Sequence, residues 1–205
     1  MTAHTQELAK FASKLRFKDL PENCVAAAKE CVQDNVGVCM FGATTPWTKI
    51  VKDYAQKVGS GGNSTILGCT GPKVHASFAA LANGASSHAF EMDSVRVPST
   101  GIHPGASAVP PAMAIAEEIG ASGKDLITAF VAGMEVMTRV GLATHHTSET
   151  KGFHAPGLTG TIGATAVAGN ILGLDAVRMA NALGIAGSLC SGLMEFSKSG
   201  NGAMV

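Results

Sequence analysis

Residues 152–174 read GFHAPGLTGTIGATAVAGNILGL and residues 179–194 read MANALGIAGSLCSGLM; neither stretch holds an Asp, Glu, Lys or Arg. A helix uncharged on every side is buried on every side, in lipid or at the centre of a bundle. The first stretch has the roughly 20 residues that a membrane span needs. Its glycines at 157, 160, 163, 169 and 173, however, are interleaved with Thr159, Thr161, Thr165 and Asn170. That mixture is too poor in Leu, Ile and Phe to partition into hydrocarbon. Small residues every third or fourth position instead let helix backbones approach closely. The two stretches therefore read as central helices of a soluble bundle, at about 157–172 and 176–195, not as spans.

Elsewhere the apolar residues recur at the same helical spacing. Leu8, Phe11, Ala12 and Leu15 make a short amphipathic helix over 5–15. Pro21 suits the first position of a helix that Gly42 stops, with Val25, Ala28, Cys31, Val32, Val36, Cys39 and Met40 as its apolar stripe. Pro46 opens a third helix with Trp47, Ile50, Val51, Tyr54, Ala55 and Val58 on one face, and the Gly-rich run 59–63 ends it. Residues 64–68 form a short extended piece without a partner strand. Helices follow at about 74–87, 106–119 and 124–145, the last opened by the capping box Ser122-x-x-Asp125. No period of 20–50 residues repeats. The fold class is all-α, in one domain over 1–205.

Composition narrows the function classes. The 205 residues carry 15 Lys+Arg against 15 Asp+Glu, a net charge of +0, with no basic cluster, so no nucleic-acid partner is expected. With 46% hydrophobic and 15% charged residues the chain is not disordered, and at this length it can bury roughly 70% of its unfolded surface. Five cysteines without a C-x-x-C pair are neither a disulfide framework nor a zinc motif. Cys24 and Cys31, seven apart, share a helix face as small hydrophobes. The opening MTAHTQELAKF has no apolar signal core. A cytoplasmic, reducing location is expected.

The ionisable residues concentrate in the loop over 91–105. His88, Glu91, Asp93, Arg96 and His103 fall within sixteen positions, and His103 precedes Pro104-Gly105 and a new helix. His154 repeats the arrangement before Ala155-Pro156-Gly157. A helix N-terminus attracts carboxylate or phosphate and disfavours imidazolium, so a histidine there stays a competent base. Two such corners converging would hold an anionic small molecule beside a general base, with Asp93 or Glu91 as the acid partner or the orienting group. Equally, His-Pro-Gly is ordinary loop material. His145-His146 sits at a helix end where polar residues are expected, and His4 and His75 read as surface residues. No H-x-x-x-H spacing appears, so no metal is assigned.

The run ANGASSHAFEMD over 82–93, followed by His103-Pro104-Gly105, resembles the signature of the MmgE/PrpD family. The likeness continues through Gly123-Lys124-Asp125-Leu126, Gly133-Met134-Glu135-Val136, Arg139 and Gly152-Phe153-His154. It extends over 160–164, 172–175 and 182–187. It implies an N-terminal all-helical domain, incomplete at its C-terminus. A smaller α+β domain and a lysine-bearing loop are expected beyond Val205, so that the chain is a fragment of the enzyme or a truncated product. Family activities are dehydration of 2-methylcitrate, decarboxylation of cis-aconitate and epimerisation of iminodisuccinate.

Position by position, the resemblance puts the family's acidic pair on Glu91 and Asp93, its loop histidine on His103 and its second histidine on His154. Glu91 replaces the commoner Asp, Ser94 stands where a third acid is frequent, and 94–102, Arg96 included, follows no family pattern. The implied roles are His103 as general acid/base, Asp93 as its partner or a second acid/base, and His154 as proton donor or substrate-carboxylate contact. Glu91 and Arg96 are substrate-binding candidates. The implied protein is a cofactor-free, metal-free lyase, and a homodimer off the membrane. It acts on a di- or tricarboxylic acid, first as a 2-methylcitrate dehydratase-like hydro-lyase. A decarboxylase, an epimerase or an inactive helical remnant is the alternative.

Overall fold

The computed structural model describes residues 3–96, 101–145 and 147–197. It is a helical assembly: α1 (Ala3–Lys14), α2 (Glu22–Gly42), α3 (Pro46–Val58), α4 (Ala76–His88), α5 (Pro104–Ile119), α6 (Gly123–Thr144), the single turn α7 (Thr147–Thr150), α8 (Ala155–Ile171) and α9 (Ala176–Leu189). The all-α reading is correct. Ser122 and Asp125 close the expected capping box at α6, each side chain accepting from the other's backbone N–H. Asp175 caps α9 by accepting from Arg178 N.

The uncharged helix α8 lies at the centre, packed against α1, α5, α6 and α9. Its threonines need no outside partner. The hydroxyls of Thr159, Thr161 and Thr165 donate to the carbonyls four residues back. Asn170 donates to the carbonyls of Ala12 and Leu15 and so finishes the end of α1. Glycines set the distance between α8 and α6. A Cβ on Gly133 would collide with Val167 and come within 2.8 Å of Gly163 O, and one on Gly163 would meet Met137 Cβ at 2.9 Å. Val109, Phe130, Val131 and Val167 fill one core cluster among alanines; Val136, Met179 and Leu183 fill another. Among the described residues α6 alone is long and apolar enough to cross a membrane, and 61% of its apolar window is buried inside the bundle.

Three expectations are corrected. The extended segment is Ser60–Ser64, not 64–68, and it has a partner in Val74. Gly62 lets the two backbones touch, and the α5 carboxylates of Glu117 and Glu118 accept the amides of Thr65 and Asn63. On α3, Thr48 and Ala55 face inward while Ile50, Tyr54 and Val58 are exposed. Helix α9 stops at Leu189 rather than 195. Gly192 adopts φ 116°, and the chain turns back so that Phe153 and Leu193 pair antiparallel. Cys24 and Cys31 are half-buried, and burial is the main cause that raises both thiol pKa values.

Gly133→Ala should cost about 1–3 kcal/mol through overpacking against α8. Gly184→Ala, with nothing within 4 Å of the new methyl, should stabilise by about 0.5–1 kcal/mol through helix propensity. Urea unfolding of both variants checks this, and a shared sign would refute the tight α6–α8 contact.

Candidate active site

His88 is the last residue of α4, and its side chain is 13% exposed. The chain then reverses through Glu91 at φ 54°, a left-handed conformation unusual outside glycine. This turn brings Asp93 back beneath α4, where its carboxylate has no exposed surface. Asp93 Oδ1 lies 2.9 Å from His88 Nδ1 and Oδ2 lies 3.1 Å from His103 Nδ1. His103 is the residue before α5, so one buried carboxylate ties the end of one helix to the start of another. Ser94 completes the joint: its hydroxyl accepts from Gly105 N, the first N–H of α5 because Pro104 has none, and contacts Cys31 Sγ. Ser94 thus satisfies an amide at the start of α5.

His154 comes from a segment fifty-one residues further along the chain than His103. It precedes α8 and is held by its backbone N–H, which donates to Gly192 O at 2.9 Å. Two close approaches seat it. Gly157 leaves no room for a Cβ against Ser191 O, and Gly101 (φ 70°) leaves none against Ala155. The three imidazoles then gather, with ring centroids 5.0 Å apart for His88–His103 and 5.7 Å for His88–His154.

The electrostatics separate these groups. Burial alone would raise the Asp93 pKa, but hydrogen bonds from His103 and His88 outweigh it and bring the group to about 2. An ionised carboxylate only accepts, so both Nδ1 atoms carry the proton, and the lone pair of each neutral ring falls on Nε2. At His88 burial opposes the charge, yet the hydrogen bond to Asp93 and the charges of Asp93 and Glu91 raise its pKa. At His154 burial, followed by the charge of His88, lowers it. Neighbouring imidazoles pushed in opposite directions supply an acid and a base in one place.

The expected trio of Asp93, His103 and His154 is therefore brought together, through His88. That residue belongs to the quoted 82–93 run but received no role from it. Its three-residue spacing to Glu91 at a helix end was the available signal. Glu91 turns to His88, with Oε1 2.9 Å from Nε2. The Arg96 backbone N–H donates to Ile102 O at 3.1 Å. His75 is exposed, as expected, and its Nδ1 lies 3.2 Å from Glu118 Oε1.

A family model described as the MmgE/PrpD N-terminal domain matches residues 6–204. The chain is 31% identical to human cis-aconitate decarboxylase over 187 residues, covering 89% of this chain and 38% of that protein. It is 30% identical to the mouse protein of the same name, with the same coverage. It is 28% identical to the one from Aspergillus terreus, over 93% of this chain and 40% of that protein. The chain thus spans about two fifths of the length of the curated relatives it matches.

A carboxylate held at about 2 contributes stability that is fully present above its unfolded value near 3.8 and is lost as pH falls through about 2. Asp93→Asn should lower the unfolding free energy at neutral pH by about 2 kcal/mol and abolish that acid leg. Urea midpoints measured across this pH window test it; parallel curves for the two proteins would disprove the shared carboxylate.

Proposed function

The chain belongs to the MmgE/PrpD family, and on that footing we propose that it carries the proton-transfer machinery of a lyase for a di- or tricarboxylic acid. The observation that supports this is the buried Asp93 shared by His88 and His103 at 2.9 and 3.1 Å, with His154 beside His88. Losing CO2 from such an acid breaks a carbon–carbon bond and leaves its electron pair on the substrate. An imidazolium then returns a proton to carbon. Dehydration needs the same groups in another order: a base takes the proton next to a carboxylate, and an acid protonates the departing hydroxyl.

His103 is the proposed general acid/base. Asp93, 3.1 Å from its Nδ1, fixes its tautomer and orientation. His154, with its pKa lowered by burial, is the partner that accepts a proton or meets a substrate carboxylate. Arg96 is the proposed cation for a second carboxylate. Glu91, at His88 Nε2, would repel an anionic substrate, so its role shifts from substrate contact to holding His88.

The family resemblance alone ranks a 2-methylcitrate-like dehydration first. Relatives that are named cis-aconitate decarboxylases favour decarboxylation of a cis-aconitate-like acid, and that is the reaction we adopt. A cytoplasmic homodimer remains part of the same proposal.

Offered cis-aconitate, 2-methylcitrate and iminodisuccinate separately, the protein should release CO2 from the first. Loss of water from the second alone would favour the dehydratase. Turnover of none, together with no calorimetric binding of any, would reject the substrate class. His103→Gln should lower kcat roughly 100-fold or more with little change in binding. A wild-type rate would remove His103 from the proton transfer.

A further inference from the structure

His88 lies between two carboxylates, with Asp93 Oδ1 2.9 Å from its Nδ1 and Glu91 Oε1 2.9 Å from its Nε2. The turn at φ 54° brings Glu91 there, and the backbone N–H of Glu91 donates to His88 O at 3.2 Å. Main chain and side chain of this residue thus both close on His88, a use for a sparsely populated backbone conformation. We propose that His88 is a positioning residue: a standing imidazolium, clamped between Asp93 and Glu91, that keeps His154 neutral and leaves His103 to move the proton. The proposal rests on the roles given above to His103 and His154.

The contact at Nε2 decides the protonation state. A neutral ring that donates from Nδ1 to Asp93 would turn its Nε2 lone pair toward a carboxylate oxygen, two acceptors face to face. A proton between them removes the clash, and imidazole is the stronger base, so the proton rests on the ring. Nε2 is shut from solvent, and its contact with Glu91 is an ion pair rather than an aligned hydrogen bond. Burial opposes a charge at His88, yet the hydrogen bond to Asp93 and the charges of Asp93 and Glu91 outweigh it and raise the pKa.

That charge matters to its neighbours. Without it Asp93 and Glu91 would present two negative charges to an incoming carboxylic acid; with it they present one, which a proton on His103 cancels. His103 can take a proton although its ring centroid is 5.0 Å from that of His88, because Asp93 Oδ2 is its counter-charge at 3.1 Å. His154, 5.7 Å from His88, is driven the other way, since one charge disfavours a like charge nearby. Burial and the charges of His88 and His103 lower its pKa, against the pull of Glu91 and of Glu149 on α7.

Ring-nitrogen NMR of the 205-residue chain, titrated without substrate between about pH 5 and 9, tests this. Replacing one histidine at a time by Gln assigns the signals, and circular dichroism confirms the helices. At neutral pH His88 should carry protons on both ring nitrogens while His154 carries one. Glu91→Gln should move the His88 titration to lower pH. His88→Gln, whose amide can still donate to Asp93, should move the His154 titration to higher pH; if that chain loses its helices, the Glu91→Gln titration decides. His75→Gln, at the exposed His75–Glu118 pair, should move neither. A singly protonated His88 at neutral pH, a His88 titration unmoved by Glu91→Gln, or a His154 titration that stays or falls in folded His88→Gln would overturn the proposal. Absence of turnover would bear on the reaction instead and leave these titrations standing.

Discussion

A carboxylate with no exposed surface must be compensated where it lies, and Asp93 is compensated by two imidazoles at once. Much of the site's geometry follows from that requirement. Since an ionised carboxylate only accepts, both histidines are set in the same orientation, with Nδ1 inward and Nε2 outward. Because His88 ends α4 and His103 precedes α5, the same charge also joins two helices. Chemistry and packing therefore share one interaction.

That interaction could not form on a loosely packed frame. The scaffold keeps its helices close by leaving side chains out: Gly133 and Gly163 between α6 and α8, Gly157 against Ser191, Gly101 against Ala155. The last two act at the site itself, since they bring residues 101–103 and the 190–194 return onto the start of α8. Polar groups on the central helix are satisfied locally, as with the threonine hydroxyls that donate four residues back. The centre can therefore be apolar in its surroundings without orphaning its hydroxyls.

The helices were largely legible because their signals are local. Pro46, the Ser122–Asp125 box and the apolar spacing of 5–15 act within a turn or two of themselves. Expectations failed where the deciding partner was remote. Gly192 stops the pattern at the end of α9 by pairing with the His154 corner, and the 60–64 segment extends because Val74 and two α5 carboxylates receive it. The outward turn of Ile50 and Tyr54 is likewise a matter of which neighbour exists to cover them.

By itself the sequence determined the fold class, the family likeness and three of the polar residues that meet: Asp93, His103 and His154. Residue type and short-range order suffice for those. Only the tertiary structure decided that His88 stands between them, that Glu91 turns to His88, and that Ser94 satisfies an amide at the start of α5. Such roles depend on distances between segments tens of residues apart. In a buried cluster, a difference of about 1 Å separates a hydrogen bond from a mere neighbour.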